Sequence, residues 1–158
     1  MCRSRPGGYA GGVPREESDV GCWLLKTARP PGVIAPGWAP EESRRLRRCL
    51  RRSYRLELMA PGQRCLLWLS GTAGPGVHAL GTLAVPPDPA APEPAVEVTL
   101  HLLVDPVSRS ELRADPAFAG AEVLRMPAGS NPSYLRAGEL SAVLDRLDPR
   151  LPRSAGWT

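Results

Sequence analysis

Between residues 96 and 104 the chain alternates without a break. Val96, Val98, Leu100, Leu102 and Val104 fall on one side, and Glu97, Thr99, His101 and Leu103 on the other. Side chains of an extended strand point to opposite faces in turn, so this period of two specifies a β-strand with one strongly apolar face. Such a strand is not stable alone. It needs hydrogen-bonded neighbours and a covering layer, which commits the chain to a domain built around a sheet.

The rest of the chain offers the neighbours. Residues 22–28 form a short apolar strand, and residues 64–70 form a second that is apolar on both faces and therefore central. Residues 76–85 return as its antiparallel hairpin partner after the Gly-rich loop 71–76. Residues 40–54 read as a helix. Glu41 and Glu42 sit in its first turn, where acids meet the positive end of the helix dipole, and Leu46, Cys49, Leu50 and Tyr54 recur at helical spacing. Downstream, Ser108 and Glu111 can cap a short helix that ends before Asp115-Pro116. A last strand is expected over 121–126, a loop rich in hydrogen-bonding side chains over 127–134, and a closing helix over 137–147.

Nineteen prolines, five of them within residues 86–94, keep these elements short. Hairpin links dominate, so the expected fold class is α+β: a small, partly closed mixed β-barrel with peripheral helices. The expected domain spans 21–148. Residues 1–20 lack apolar periodicity and read as a disordered arm, and residues 149–158 as a loose tail.

Charge and cysteine usage narrow the function classes. The net charge of +4 has the sign expected of a protein that meets phosphate. Lys26 is the only lysine among twenty Lys and Arg residues, the usage of a GC-rich bacterial genome, so charge clustering is more informative than the total. Seven arginines crowd between Arg44 and Arg55. On a helix, Arg44, Arg47, Arg48, Arg51 and Arg52 would form either a phosphate-binding face or a plain solvated one. Cys2, Cys22, Cys49 and Cys65 form no CxxC pair, and His78 and His101 are not spaced to join them, so no metal site is expected and the thiols read as free in a reducing cytoplasm. No apolar run approaches the roughly 20 residues of a membrane span, and residues 1–6 lack the apolar stretch of a signal peptide. No GxSxG elbow, P-loop or dinucleotide fingerprint is present. A non-enzymatic module without a cofactor is the expectation.

Several short motifs, taken in order, resemble one family. Trp23-Leu24-Leu25-Lys26 resembles the WL-K opening of EVE domains. Ser53-Tyr54-Arg55 and Met59-Ala60-Pro61-Gly62-Gln63 resemble the family's basic stretch and its PGD turn. Leu66-Leu67-Trp68-Leu69-Ser70-Gly71 and Gly76-Val77-His78-Ala79-Leu80-Gly81 are similar to its paired strands. Asp105-Pro106, Glu111 to Pro116 and Leu124 to Pro132 are similar to its L---L--DP and R-PQG-N segments. The likeness runs over residues 21–147. It departs at Cys49-Leu50, where many members carry a Trp, and at Leu69, where an Arg is common.

The resemblance implies a PUA-like fold, related to YTH and ASCH domains, with a pocket for a flipped or single-stranded modified base. It implies DNA or RNA carrying such a base as partner, with an effector protein alongside. The implied pocket draws on Trp23, Lys26, Trp38, Tyr54, Arg55, Trp68, Ser70 and Asn131. Trp68 would be the stacking wall; for it and Trp23 the plain alternative is core packing, and for Asn131 it is turn chemistry. Two other functions stay open: an ASCH-like ribonuclease with Lys26 and Tyr54 as catalysts, and a barrel that binds a peptide or metabolite.

Overall fold

A computed structural model describes residues 19–157, so the N-terminal arm expected over 1–20 lies almost wholly outside the described residues. Strand β1 (Cys22–Thr27) is followed by helix α1 (Pro31–Ile34), β2 (Ser43–Cys49) and a 3-10 turn at Tyr54–Leu58. Then come β3 (Arg64–Leu69), β4 (Gly76–Val85) and β5 (Ala95–Ser108). Helices α2 (Arg109–Ala114) and α3 (Glu122–Arg125), strand β6 (Ser133–Leu135), and helices α4 (Ala137–Leu144) and α5 (Leu151–Ser154) complete the chain.

The six strands make one mixed sheet in the order β2-β5-β4-β3-β1-β6, with β1 parallel to β3 and every other pair antiparallel. The fold is α+β, and the sheet does not close into a ring. Its two ends are tied at one corner, where the Arg51 N–H just past β2 donates to the Asn131 carbonyl just before β6 at 2.8 Å.

Both faces of the central strands are buried. Leu24, Leu66 and Leu80 join the layer of Phe118, Val143 and Leu140 beneath the helices. Trp23, Leu25 and Leu67 join Trp38, Leu56, Val98 and Leu100 on the other face. The β3–β4 hairpin forms as its sequence requires. The alternation in β5 holds as far as Leu100. His101, Leu102 and Leu103 are then all buried, the register with β4 slips between Leu102 and Val107, and Val104 is carried to the surface, 58% exposed.

Four expectations are corrected. Residues 40–54 are not a helix. Arg44, Leu46 and Arg48 face one way along β2, and Ser43, Arg45, Arg47 and Cys49 face outward, so the segment carries a period of two as well as the helical stripe. Register with β5, from Ser43 opposite His101 to Cys49 opposite Ala95, decides between the two periods by pairing the edge β5 would otherwise leave open. The charged outer side keeps the new edge from pairing with other chains.

The second correction is that 121–126 holds helix α3 rather than a strand, because a turn is what brings Glu122 inward. Third, the expected loop 127–134 ends in β6, which pairs with β1. Fourth, the tail is docked: Trp157 is only 7% exposed, its indole N–H donates to the Gly81 carbonyl at 2.7 Å, and the Arg64 guanidinium lies over its ring. By contrast α2 starts as expected, with the Ser108 hydroxyl accepting the Glu111 N–H at 3.1 Å, and α4 covers the expected Leu140 and Val143.

Candidate nucleic-acid interface

The corner where the two sheet edges meet gathers the polar chemistry. β1 runs out at Thr27, and β3 beside it runs out at Leu69, which puts Ser70 next to the end of β1; the Ser70 N–H donates to the Thr27 carbonyl at 2.8 Å. On the other side β6 begins only at Ser133, since Pro132 has no N–H to give the ladder. The Asn131 side chain continues the pairing in its stead. Its Oδ1 accepts the Lys26 N–H at 3.1 Å, and its Nδ2 donates to the Lys26 carbonyl at 3.3 Å.

Lys26 then folds over the loop, its ammonium donating to the carbonyls of Met126 and Pro127 at 3.3 Å each. Burial lowers the pKa of this ammonium; Glu122 opposes the shift, while Arg55 and Arg51 add to it.

Two clefts flank this strand end. The first, about 340 Å³, is lined by Lys26, Leu50, Arg51, Ser70, Pro127 and Asn131, among others. The second, about 400 Å³, lies toward α1 and is lined by Arg29, Val33, Ile34 and Arg48. Lys26, Thr27 and Ala28 form a wall common to both. Four cations line the pair and no carboxylate does. The electrostatics of this corner are therefore cationic.

The structure thus brings together Lys26, Ser70, Asn131, Arg48 and Arg51 from the residues singled out in the sequence, and it separates the others. Trp68 is 2% exposed and stacks on Phe118 at 6.2 Å beneath the helices, so it has no face to offer a base. Trp23 is wholly buried, with its indole N–H on Gln63 Oε1, and Trp38 is buried with its indole N–H on the Glu42 carbonyl. Tyr54 is part-exposed but lines neither cleft. An aromatic pocket is not what this corner presents.

Arg55 sits behind the corner. Its guanidinium meets both Glu122 oxygens at 2.7 Å, donates to the Pro132 carbonyl at 3.1 Å, and lies over the Tyr134 ring. The expected phosphate set also divides. Arg44 is paired with Glu42 and Arg52 is bonded to the Ala91 carbonyl, while Arg47 is on the outward side of β2. Only Arg48 and Arg51 of that set reach the clefts. Arg29 was missed. A lone arginine before a Pro-Pro pair carries no signal of its own, and only the fold brings it beside Arg48.

No protein-family model and no curated protein matches the chain. Solved structures do share its fold. A Leishmania major protein aligns at a TM-score of 0.56 with 19% identity, over 83% of this chain and 96% of its own. A Pseudomonas putida protein aligns at 0.58 with 13% identity, over 80% and 99%. At such identities the likeness concerns the fold alone. Human THYN1, solved in complex with 5-methylcytosine-containing DNA, aligns more loosely, at a TM-score of 0.47 with 15% identity over 79% of this chain and 96% of its own. A match that loose says nothing about what this chain binds.

Proposed function

We propose that the chain is a nucleic-acid-binding module of the EVE type that grips a phosphate backbone at the corner between β1, β2 and β6. The observation that carries this reading is the cleft lined by Lys26, Arg51, Ser70 and Asn131, cationic and free of carboxylates. Arg and Lys contacts to phosphate supply most of the affinity of sequence-independent binding. The Ser70 hydroxyl and the remaining Lys26 donor are suited to a base edge, and Leu50 and Pro127 give it apolar area.

The finer reading is that this base is a modified one, such as a methylated cytosine or adenine, taken from a single strand or flipped from a duplex. Stacking on an aromatic ring contributes about 1–3 kcal/mol per base, and without such a ring phosphate contacts have to supply the affinity. Binding is therefore expected to be strongly salt-dependent.

Fluorescence titrations with single- and double-stranded oligonucleotides, with and without 5-methylcytosine, 5-hydroxymethylcytosine or N6-methyladenine, test both levels at two salt concentrations. Arg51→Ala is expected to weaken binding and to reduce the log–log salt slope by roughly 0.7–0.9. A preference for one modified base that survives higher salt supports modified-base reading. Binding without preference overturns that level alone, and no binding at low salt overturns the proposal.

A further inference from the structure

The second cleft extends the proposed site in a definite direction. Its wall is shared: Lys26, Thr27 and Ala28 separate it from the first cleft by only three residues of nearly extended chain, about 7 Å. On the far side are Arg29 and Arg48, with Val33 and Ile34 as apolar floor. Along the same arginine run, Arg44 is neutralised by Glu42, Arg45 by Glu97, and Arg52 is bonded to a carbonyl. Among the described residues no carboxylate or hydrogen-bond acceptor meets the guanidinium of Arg48 or Arg29. Arg48 is half-buried, with its guanidinium nitrogens left open to solvent in the cleft. An anion entering this cleft would meet two guanidinium groups and no competing carboxylate.

Each cleft is near the small end of ligand pockets, which run from about 300 to 1,000 Å³. Each has room for about one nucleotide unit.

We infer that the ligand of this corner is a single strand that crosses the end of β1 and fills both clefts, with Arg29 and Arg48 taking the phosphate next to the one held by Lys26 and Arg51. The inference rests on the nucleic-acid reading above. It assigns Arg29 and Arg48 a separate phosphate subsite and sets the minimal ligand at two nucleotides. The Val33–Ile34 floor serves the second base, without selectivity for its edge.

The test is a length series. Binding of random-sequence DNA and RNA oligonucleotides of one, two and four nucleotides is measured for the parent, for Arg29→Ala, for Arg29→Ala/Arg48→Ala, and for Arg47→Ala as a control on the outward side of the same strand. The parent is expected to gain at least tenfold in affinity from one nucleotide to two. The double variant is expected to bind the mononucleotide as the parent does and to lose most of that gain, with the dinucleotide salt slope smaller by about 0.7. Arg29→Ala, in an exposed bend, is expected to lose part of the gain even if the strand substitution disturbs folding. Arg47→Ala is expected to keep it. Mononucleotide binding with no gain at two nucleotides, or an equal gain in the double variant, overturns this inference and leaves the first cleft's role intact. A nucleoside triphosphate that binds the parent as tightly as the dinucleotide also overturns it. Absence of binding at every length overturns the underlying reading as well.

Discussion

Arg55 and Glu122, 67 residues apart, meet through two parallel hydrogen bonds of 2.7 Å in a site where both are almost wholly buried. Glu122 also accepts the Ser133 hydroxyl at 2.8 Å, and Arg55 reaches the Pro132 carbonyl. The pair therefore ties the 3-10 turn to α3 and to the start of β6, directly behind Asn131. Removing one member of a buried pair strands the other charge, at a cost of about 3–5 kcal/mol. Glu122→Ala is expected to lose stability on that scale in urea unfolding. The double variant Arg55→Met/Glu122→Leu is expected to recover part of it, because no buried charge is left unpaired, while the Ser133 hydroxyl and the Pro132 carbonyl lose their partners. Equal losses in the two variants would refute this account of the pair.

The same pair sets an acid dependence. Burial alone would raise the Glu122 carboxyl, but the Arg55 hydrogen bonds and charge outweigh it, with Ser133 and Lys26 adding, and the net shift is downward. With the folded pKa below the unfolded one, the contribution is complete above the unfolded value of about 4.3 and is lost as pH falls through the lowered folded value. The stability difference between the parent and Glu122→Gln is thus expected to be constant from pH 7 to about 5 and to shrink in more acid solution. Unfolding midpoints that fall in parallel for both proteins down to pH 2 would show that Glu122 is not the group responsible.

Trp68 and Trp157 are both structural, although the sequence suggested a stacking wall for the first and a loose tail for the second. Truncation of a buried Trp to Ala costs about 3–5 kcal/mol. Trp68→Ala is expected to lose stability on this scale and to bind any oligonucleotide that the parent binds, in the same order of preference, under conditions where it is folded. Trp157→Ala is expected to cost a comparable amount, since it also leaves the Gly81 carbonyl without the indole N–H. Thermal unfolding decides both, and a Trp157→Ala midpoint within a degree of the parent's would mean that the docked tail contributes nothing.

How much of this was legible in the sequence depends on the distance between the residues that decide each feature. β1, β3, β4 and most of β5 follow from local apolar pattern, because each strand's burial is written in its own residues. β2 is different. Leu46, Cys49 and Leu50 satisfy a helical period, Leu46 between Arg44 and Arg48 satisfies a strand period, and arginine is a good helix former. The deciding term is the open edge of β5, about fifty residues later. The Lys26–Asn131 clamp spans 105 residues and the Arg55–Glu122 pair 67, so the sequence could nominate Lys26, Asn131 and Arg55 but could not join them. Nor could it tell that Arg48 and Arg51 face the clefts while Arg44 and Arg52 are already bonded. Trp residues in apolar strands are equally consistent with core and wall, and here the helical layer settles Trp68 as core.

Lys26 gives a prediction in which two readouts move in opposite directions. Its ammonium pKa is lowered from the usual lysine value, first by burial and then by Arg55 and Arg51, against the pull of Glu122. In the window between the lowered folded value and the unfolded value of about 10.4, the unfolded chain holds the proton that the folded one has released. The unfolded state then binds more protons, so this residue's contribution to stability rises with pH across that window. Affinity for a phosphate strand is expected to fall over the same window, because the cation at the common wall of the two clefts is being discharged. Lys26→Arg keeps its charge throughout and provides the reference. Relative to it, the parent is expected to lose oligonucleotide affinity as pH is raised, beginning below the ordinary lysine range. If parent and Lys26→Arg lose affinity together, the loss belongs to the bases or to other groups, and the Lys26 ammonium is not a phosphate contact.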